Sequence, residues 1–211
     1  MLTFYHAPLS RSTRILSLIE ELGNSPEIEI VEVDIHRTFQ GFGARDPRNP
    51  HPEGKVPLLV HDGVEIWETS AIALYLTGLY PQSGLGVGPG DPARGRFLSW
   101  MFWYAGVVEP VVILHLCQIE HPMVSGSWRG LPEICDRLET ALAAGPWLMG
   151  DHFTTTDLML HSAFVWAPQI LPDSPAIRDW VERCRTRPAA LRARARDEAA
   201  MAALMAKASA A

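Results

Sequence analysis

KVPLLVHDGVEIWETSAIALYL, residues 55–76, decides the architecture of the amino-terminal half. Two apolar β-rich runs flank Asp62-Gly63, a pair suited to a tight hairpin turn. From about Ser70 the period changes: Ile72, Ala73, Leu76 and Leu79 recur on one helical face. Pro57 opens the first strand, so its missing N–H must lie where no ladder bond is needed. The segment predicts strand, strand, helix.

Upstream, LTFYH at 2–6 predicts a strand and the residues from Ser10 predict a helix, with Ile15, Leu18, Ile19 and Leu22 on one face. Gly23 is placed to stop it. IEIVEVDI, 28–35, is β-rich and apolar on both sides, the pattern of a covered strand. Strand, helix and strand in this compass predict a right-handed βαβ unit. The intervening HRTFQGFGARDPRNPHPEG holds three prolines and three glycines and predicts no regular element.

Downstream, PQSGLGVGPGDP at 81–92 predicts a linker. Beyond it the chain predicts helices at about 92–119, 131–144, 154–167, 175–186 and from 189 onward. Pro110 should kink the first of these. The alanine-rich tail has high helix propensity and little to bury, so fraying is expected. FTTTDL, 153–158, carries a capping box, Thr154 with Asp157, and a hydrophobic staple, Phe153 with Leu158.

Composition narrows the function. The 211 residues carry 24 acidic and 18 basic side chains, a net charge of −6. With no basic block, nucleic acid and anionic membrane are not expected partners. The apolar run YAGVVEPVVILHLC is cut by Glu109 and Pro110, so it is expected to be too short to cross a bilayer. MLTFYHAP lacks the basic start and long apolar stretch of a signal peptide. The three cysteines, Cys117, Cys135 and Cys184, are far apart and form no CxxC, which suits a reducing, cytoplasmic setting. His115, Cys117 and His121 point to different faces of a helix, and HExxH is absent, so no metal is expected. Neither GxGxxG nor a phosphate-binding GxxxxGK[ST] loop occurs.

The plan βαβ–ββα, linker, helices resembles that of glutathione transferases. Four motifs carry the likeness in order along the whole chain: APLSRSTR, PEGKVPLL, WETSAIALYL and WLMGDHFTTTDLML. The resemblance implies a thioredoxin-like domain at 1–80, a linker at 81–91 and an all-helical domain at 92–211. It also implies glutathione as co-substrate, a small hydrophobic electrophile, a detoxifying role and a homodimer.

Taken alone, Ser10 reads as a helix N-cap. The resemblance gives it the place of the catalytic hydroxyl, hydrogen-bonded to the glutathione sulfur to favour the thiolate. A free thiol titrates near pH 8.5, so each unit of depression gives close to tenfold more nucleophile. Tyr5 is the rival, because some family branches use a tyrosine in the first strand. Neither Leu9 nor Ser10 is cysteine, which argues against mixed-disulfide chemistry at this turn.

For glutathione itself, the resemblance implies a cis Val56–Pro57 bond, strand-like pairing of the Val56 backbone with the cysteinyl unit, and Lys55 on the glycyl end. Glu68 and Thr69, where a strand gives way to a helix, suit the ammonium and carboxylate of a γ-glutamyl group. The electrophile is expected between the two halves, with Tyr5, Arg11, Trp103, Tyr104 and Val107 as candidate lining. Two alternatives remain: a non-catalytic glutathione-binding or regulatory protein on this fold, and a glutathione-dependent isomerase or dehalogenase.

Overall fold

The computed structural model describes residues 1–23, 27–37 and 41–209. They form two compact units, residues 1–76 with 188–211 and residues 77–187.

In the first unit, β1 (Leu2–His6), β2 (Ile28–Glu32), β3 (Leu58–His61) and β4 (Val64–Trp67) form one sheet in the order β2-β1-β3-β4. β1 and β2 are parallel; β1 with β3, and β3 with β4, are antiparallel. The helices are α1 (Thr13–Leu22) and α2 (Thr69–Leu79). This is the thioredoxin-like βαβ-ββα arrangement, and Asp62-Gly63 makes the β3–β4 turn with both residues at positive φ, 47° and 83°.

Three expectations need correction here. β2 ends at Glu32 and is not covered on both sides, because it is an edge strand whose residues are half-buried or exposed. α1 begins at Thr13, with Ser12 in the N-cap place, so Ser10 is not the cap. The tail does not fray across the described residues. α9 (Pro188–Ser209) packs on α1 and belongs with the sheet, although the sequence places it in the helical domain. The reason is a buried stripe at four-residue spacing, Ala189, Ala193, Asp197 and Met201. Three small or polar residues of this kind let two helices approach closely. At the rim, Arg192 reaches Glu20 at 2.6 Å and Arg196 reaches Glu32 at 3.3 Å.

The second unit is helical: α3 (Arg94–Trp103), α4 (Glu109–Leu116), α5 (Pro122–Ser127), α6 (Leu131–Leu142), α7 (Thr155–Trp166) and α8 (Pro175–Arg185). The short α5 was not predicted; the His121 ring caps it by accepting Met123 N–H at 3.2 Å. The capping box at α7 is formed as expected. Asp157, fully buried, accepts Thr154 N–H at 3.0 Å, Leu148 N–H at 2.9 Å and the Trp180 indole N–H at 2.9 Å. Burial pushes its carboxyl up, against the pull of these donors.

α3 runs into α4 through one π-helical turn, Tyr104–Val108. Pro110 explains it. A proline has no N–H for the carbonyl four residues back, and its ring crowds that carbonyl. Here that carbonyl is Gly106, which accepts the Trp128 indole N–H at 2.9 Å instead, while Glu109 N–H bonds Tyr104 O. The continuous run Arg94–Leu116 is 23 residues and, unlike the apolar stretch read from the sequence, is long and apolar enough to match a bilayer by length and composition. Phe97, Trp100, Met101, Tyr104, Val108, Val111 and Val112 on it are buried.

Candidate functional site

The turn after β1 is where the site begins. Strand alternation puts Phe4 and His6 on one face of the sheet, their rings stacked with centroids 5.7 Å apart, and Tyr5 on the other. The chain then turns at Ala7–Ser12 into α1. Leu9 sits there at φ 51°, a left-handed conformation uncommon for leucine, with its N–H held by Asp197 Oδ2 at 2.8 Å. Thr13 Oγ1 donates to the same carboxylate oxygen.

Ser10 is half-buried at this turn. Its Oγ lies 2.8 Å from Ala7 O and 2.7 Å from Ser12 Oγ, and it accepts Ser12 N–H at 3.1 Å. Ser12 is fully buried; its Oγ accepts Ala7 N–H at 3.1 Å and stands 2.8 Å from His6 Nδ1. His6 Nε2 is 2.8 Å from Asp197 Oδ1, with neither side chain exposed by more than 1%. A carboxylate accepts only, so Nε2 carries a proton. Sequence reading missed His6 and Asp197. Its available signal was the lone acid on the small-residue stripe of α9.

The remaining candidates in this unit fall as follows. The Val56–Pro57 bond is cis, and the β3 ladder begins only at Leu58, opposite Tyr5 and Trp67, so Val56 precedes the paired strand. Pro57 is buried and Val56 half-buried. Lys55 is exposed, with its ammonium on Glu53. Glu68 is exposed at φ 68°, and its carbonyl accepts Ile72 N–H at 3.0 Å, so it stands in the N-cap place of α2 with Thr69 first in the helix. A non-glycine residue held left-handed at a helix start is a local strain that clusters at functional sites. Tyr5 is half-buried, and Arg11 is exposed.

In the helical unit, Trp103 and Val107 line a cavity of about 220 Å³ together with Val111, Trp128, Arg129 and Glu133. Trp103 packs edge-on against Trp100 at 5.3 Å, and the Arg137 guanidinium lies 5.1 Å from its ring centroid. Tyr104 differs. It is buried at 1% exposure with its hydroxyl toward Ser162, and it lines no part of this cavity.

Comparison with known proteins agrees with this architecture. The sequence model of the glutathione S-transferase N-terminal domain matches residues 1–78, and that of the C-terminal domain matches residues 102–183. The disulfide-bond oxidoreductase YfcG of Escherichia coli (strain K12) is 26% identical over 210 residues, covering 90% of this chain and 92% of that protein. The dichloromethane dehalogenase of Methylophilus leisingeri is 29% identical over 205 residues, covering 88% and 76%. The crystal structure of a glutathione transferase from Methylococcus capsulatus superposes with a TM-score of 0.74 at 29% identity, covering 94% of this chain and 99% of that one.

Proposed function

Because this chain belongs to the glutathione S-transferase family, we propose that it binds glutathione on its thioredoxin-like unit and adds the sulfur to a small hydrophobic electrophile. The observation that carries the reading is Ser10, a half-buried hydroxyl between β1 and α1 held within a hydrogen-bonded turn. Tyr5 is the weaker candidate, since alternation sets it on the sheet face opposite His6.

Glutathione would then lie with its cysteinyl unit along the Val56 backbone, ahead of the paired strand, and with its γ-glutamyl end at Glu68 and Thr69. The start of α2 offers N–H groups without intrahelical partners to the carboxylate. The Glu68 carboxylate answers the ammonium. Lys55 would exchange Glu53 for the glycyl carboxylate. Arg11 would stand near the sulfur, and Trp103 and Val107 are the apolar candidates for the electrophile in the helical unit. Family relatives include an oxidoreductase and a dehalogenase as well as transferases. All three cysteines of this chain are outside residues 1–76, which favours glutathione as the sole thiol in the reaction. The proposal extends to a homodimer in a reducing cytoplasm, in keeping with three free cysteines.

Retention on immobilised glutathione and conjugation of a chloronitroaromatic test the reading. Retention by wild type and Ser10→Ala alike, with turnover lowered about a hundredfold in the variant, is expected. Full turnover in Ser10→Ala would remove the serine from the chemistry. Halide release from a haloalkane, without aromatic conjugation, would favour the dehalogenase alternative. Retention with no turnover on either would favour a binding role.

A further inference from the structure

The hydroxyl of Ser10 has one proton, and in the resting protein that proton is already placed. With His6 Nε2–H on Asp197, a neutral imidazole leaves Nδ1 as an acceptor. The hydroxyl within reach of Nδ1 is Ser12, at 2.8 Å against 3.1 Å to Ala7 O, so with Nδ1 as acceptor its one proton goes to His6 and not to the carbonyl. Ser10, 2.8 Å from Ala7 O, donates there. A sulfur arriving at Ser10 therefore meets lone pairs, not a donor. A thiol can donate to them; a thiolate cannot be held by them.

The same atoms resolve this. Ser10 Oγ, Ser12 Oγ, His6 Nδ1 and Asp197 Oδ1 form an unbroken chain, with successive gaps of 2.7 Å, 2.8 Å and, from Nε2 across the ring, 2.8 Å. Resting on the reading of Ser10 as the group facing glutathione, we infer that His6 is the acceptor of the thiol proton, reached through Ser10 and Ser12 and charge-balanced by Asp197. The S–H bond breaks and its electron pair stays on sulfur. Ser10 Oγ gains that proton and passes its own to Ser12 Oγ, which passes its own to His6 Nδ1.

Afterwards the donors run outward along the chain, with Ser10 turned from Ala7 O toward the sulfur. His6 Nδ1–H donates to Ser12, Ser12 to Ser10, and Ser10 outward to the thiolate. His6 and Asp197 have become a buried ion pair, and the rest of the Asp197 carboxylate is satisfied by Leu9 N–H and Thr13 Oγ1. Such satisfaction is what a buried charge requires. Imidazole suits the task because Nδ1 can take up a proton while Nε2–H stays on the carboxylate. Charged groups about the pair include Arg37, buried with its Nη2 on Pro8 O at 2.8 Å and within the field of Asp197, and Glu32, the β2 neighbour of His6, engaged with Arg196. His6 and Asp197 are thus positioning residues: they act on sulfur through the two serines.

A proton count separates this from a purely structural turn. Ultraviolet difference absorbance gives thiolate formed per glutathione bound, and calorimetry in buffers of unlike ionisation enthalpy gives protons released. In wild type near neutral pH, thiolate should form with far fewer protons released than thiolates made, since each stays on His6. Histidine ring resonances should report a new imidazolium with glutathione and none with S-methylglutathione, which has no thiol proton. Ser12→Ala should bind S-methylglutathione like wild type, yet raise the titration of bound thiol by about one unit, cutting thiolate near tenfold. One proton released per thiolate in wild type, or an unchanged thiol titration in Ser12→Ala, overturns the relay. If wild type instead binds glutathione with no thiolate at all, and Ser10→Ala matches it, the Ser10 reading itself has failed and the relay falls with it. The wild-type count holds even where Asp197→Asn does not fold.

Discussion

The Trp180 indole N–H donates to Asp157 Oδ1 at 2.9 Å, and both side chains are completely buried. One carboxylate thereby joins three places in the helical unit: the start of α7, the backbone at Leu148 and the middle of α8. Trp180→Phe keeps the ring but strips this oxygen of one donor in a dry site. The expected cost is about 2 kcal/mol, read as a fall in melting temperature of roughly 4–8 °C. Asp157→Ala removes the acceptor for the Thr154, Leu148 and Trp180 donors and the capping box, and should cost more than Trp180→Phe. Equal melting temperatures for Trp180→Phe and wild type would show the bond to be idle.

Gly106 O depends on Trp128 only because Pro110 cannot supply an N–H. Trp128→Phe should cost about 1 kcal/mol, since the indole is half-buried and water can partly replace it. In a Pro110→Ala background, residue 110 regains its N–H and competes for the same carbonyl. The penalty of Trp128→Phe should then shrink by about 0.5 kcal/mol or more in a double-mutant cycle. Strict additivity of the two substitutions would separate the π turn from the proline.

Gly43 is held at φ 84°, and a Cβ there would stand 2.1 Å from Ile35 O. Backbone, not a flexible side chain, is in the way. Gly43→Ala should lower stability by about 3 kcal/mol, measured as a drop in the denaturant midpoint with the slope unchanged. A loss below that of an ordinary surface substitution would mean that the segment after β2 yields readily.

What the sequence disclosed was local. The hairpin around Asp62-Gly63 and the capping box at Thr154 and Asp157 follow from residues within a few positions of each other, and both are present. The π turn needed Trp128 from a later loop, so Pro110 alone suggested a kink and concealed the substitute donor. The docking of α9 rests on Asp197 meeting His6, Leu9 and Thr13, partners more than 180 positions away. Propensity says only that such a segment is helical. Position alone suggested Lys55 and Tyr104 as ligand contacts; it could not show that the Lys55 ammonium rests on Glu53 or that Tyr104 is buried.

Acid should loosen the segment between β2 and β3 first. Asp46 accepts Arg48 Nε at 3.1 Å and Nη2 at 2.7 Å, together with Asp34 N–H at 3.2 Å, and the guanidinium holds its carboxyl down at about 2. A carboxyl whose folded value lies below its unfolded value stabilises the fold fully above the unfolded value, here the ordinary 3.8, and loses that contribution as pH falls toward 2. The whole shift is worth roughly 2 kcal/mol, but the Arg48 side chain is 64% exposed, so screening leaves about 1 kcal/mol. Asp46→Asn should therefore be less stable than wild type by about 1 kcal/mol near pH 6, with the gap closing between about pH 4 and 2 and narrowing in high salt. Urea titrations of both proteins across that range provide the check. A gap that stays constant with pH would assign the loss to packing around Asp34 and not to the Asp46–Arg48 charge pair.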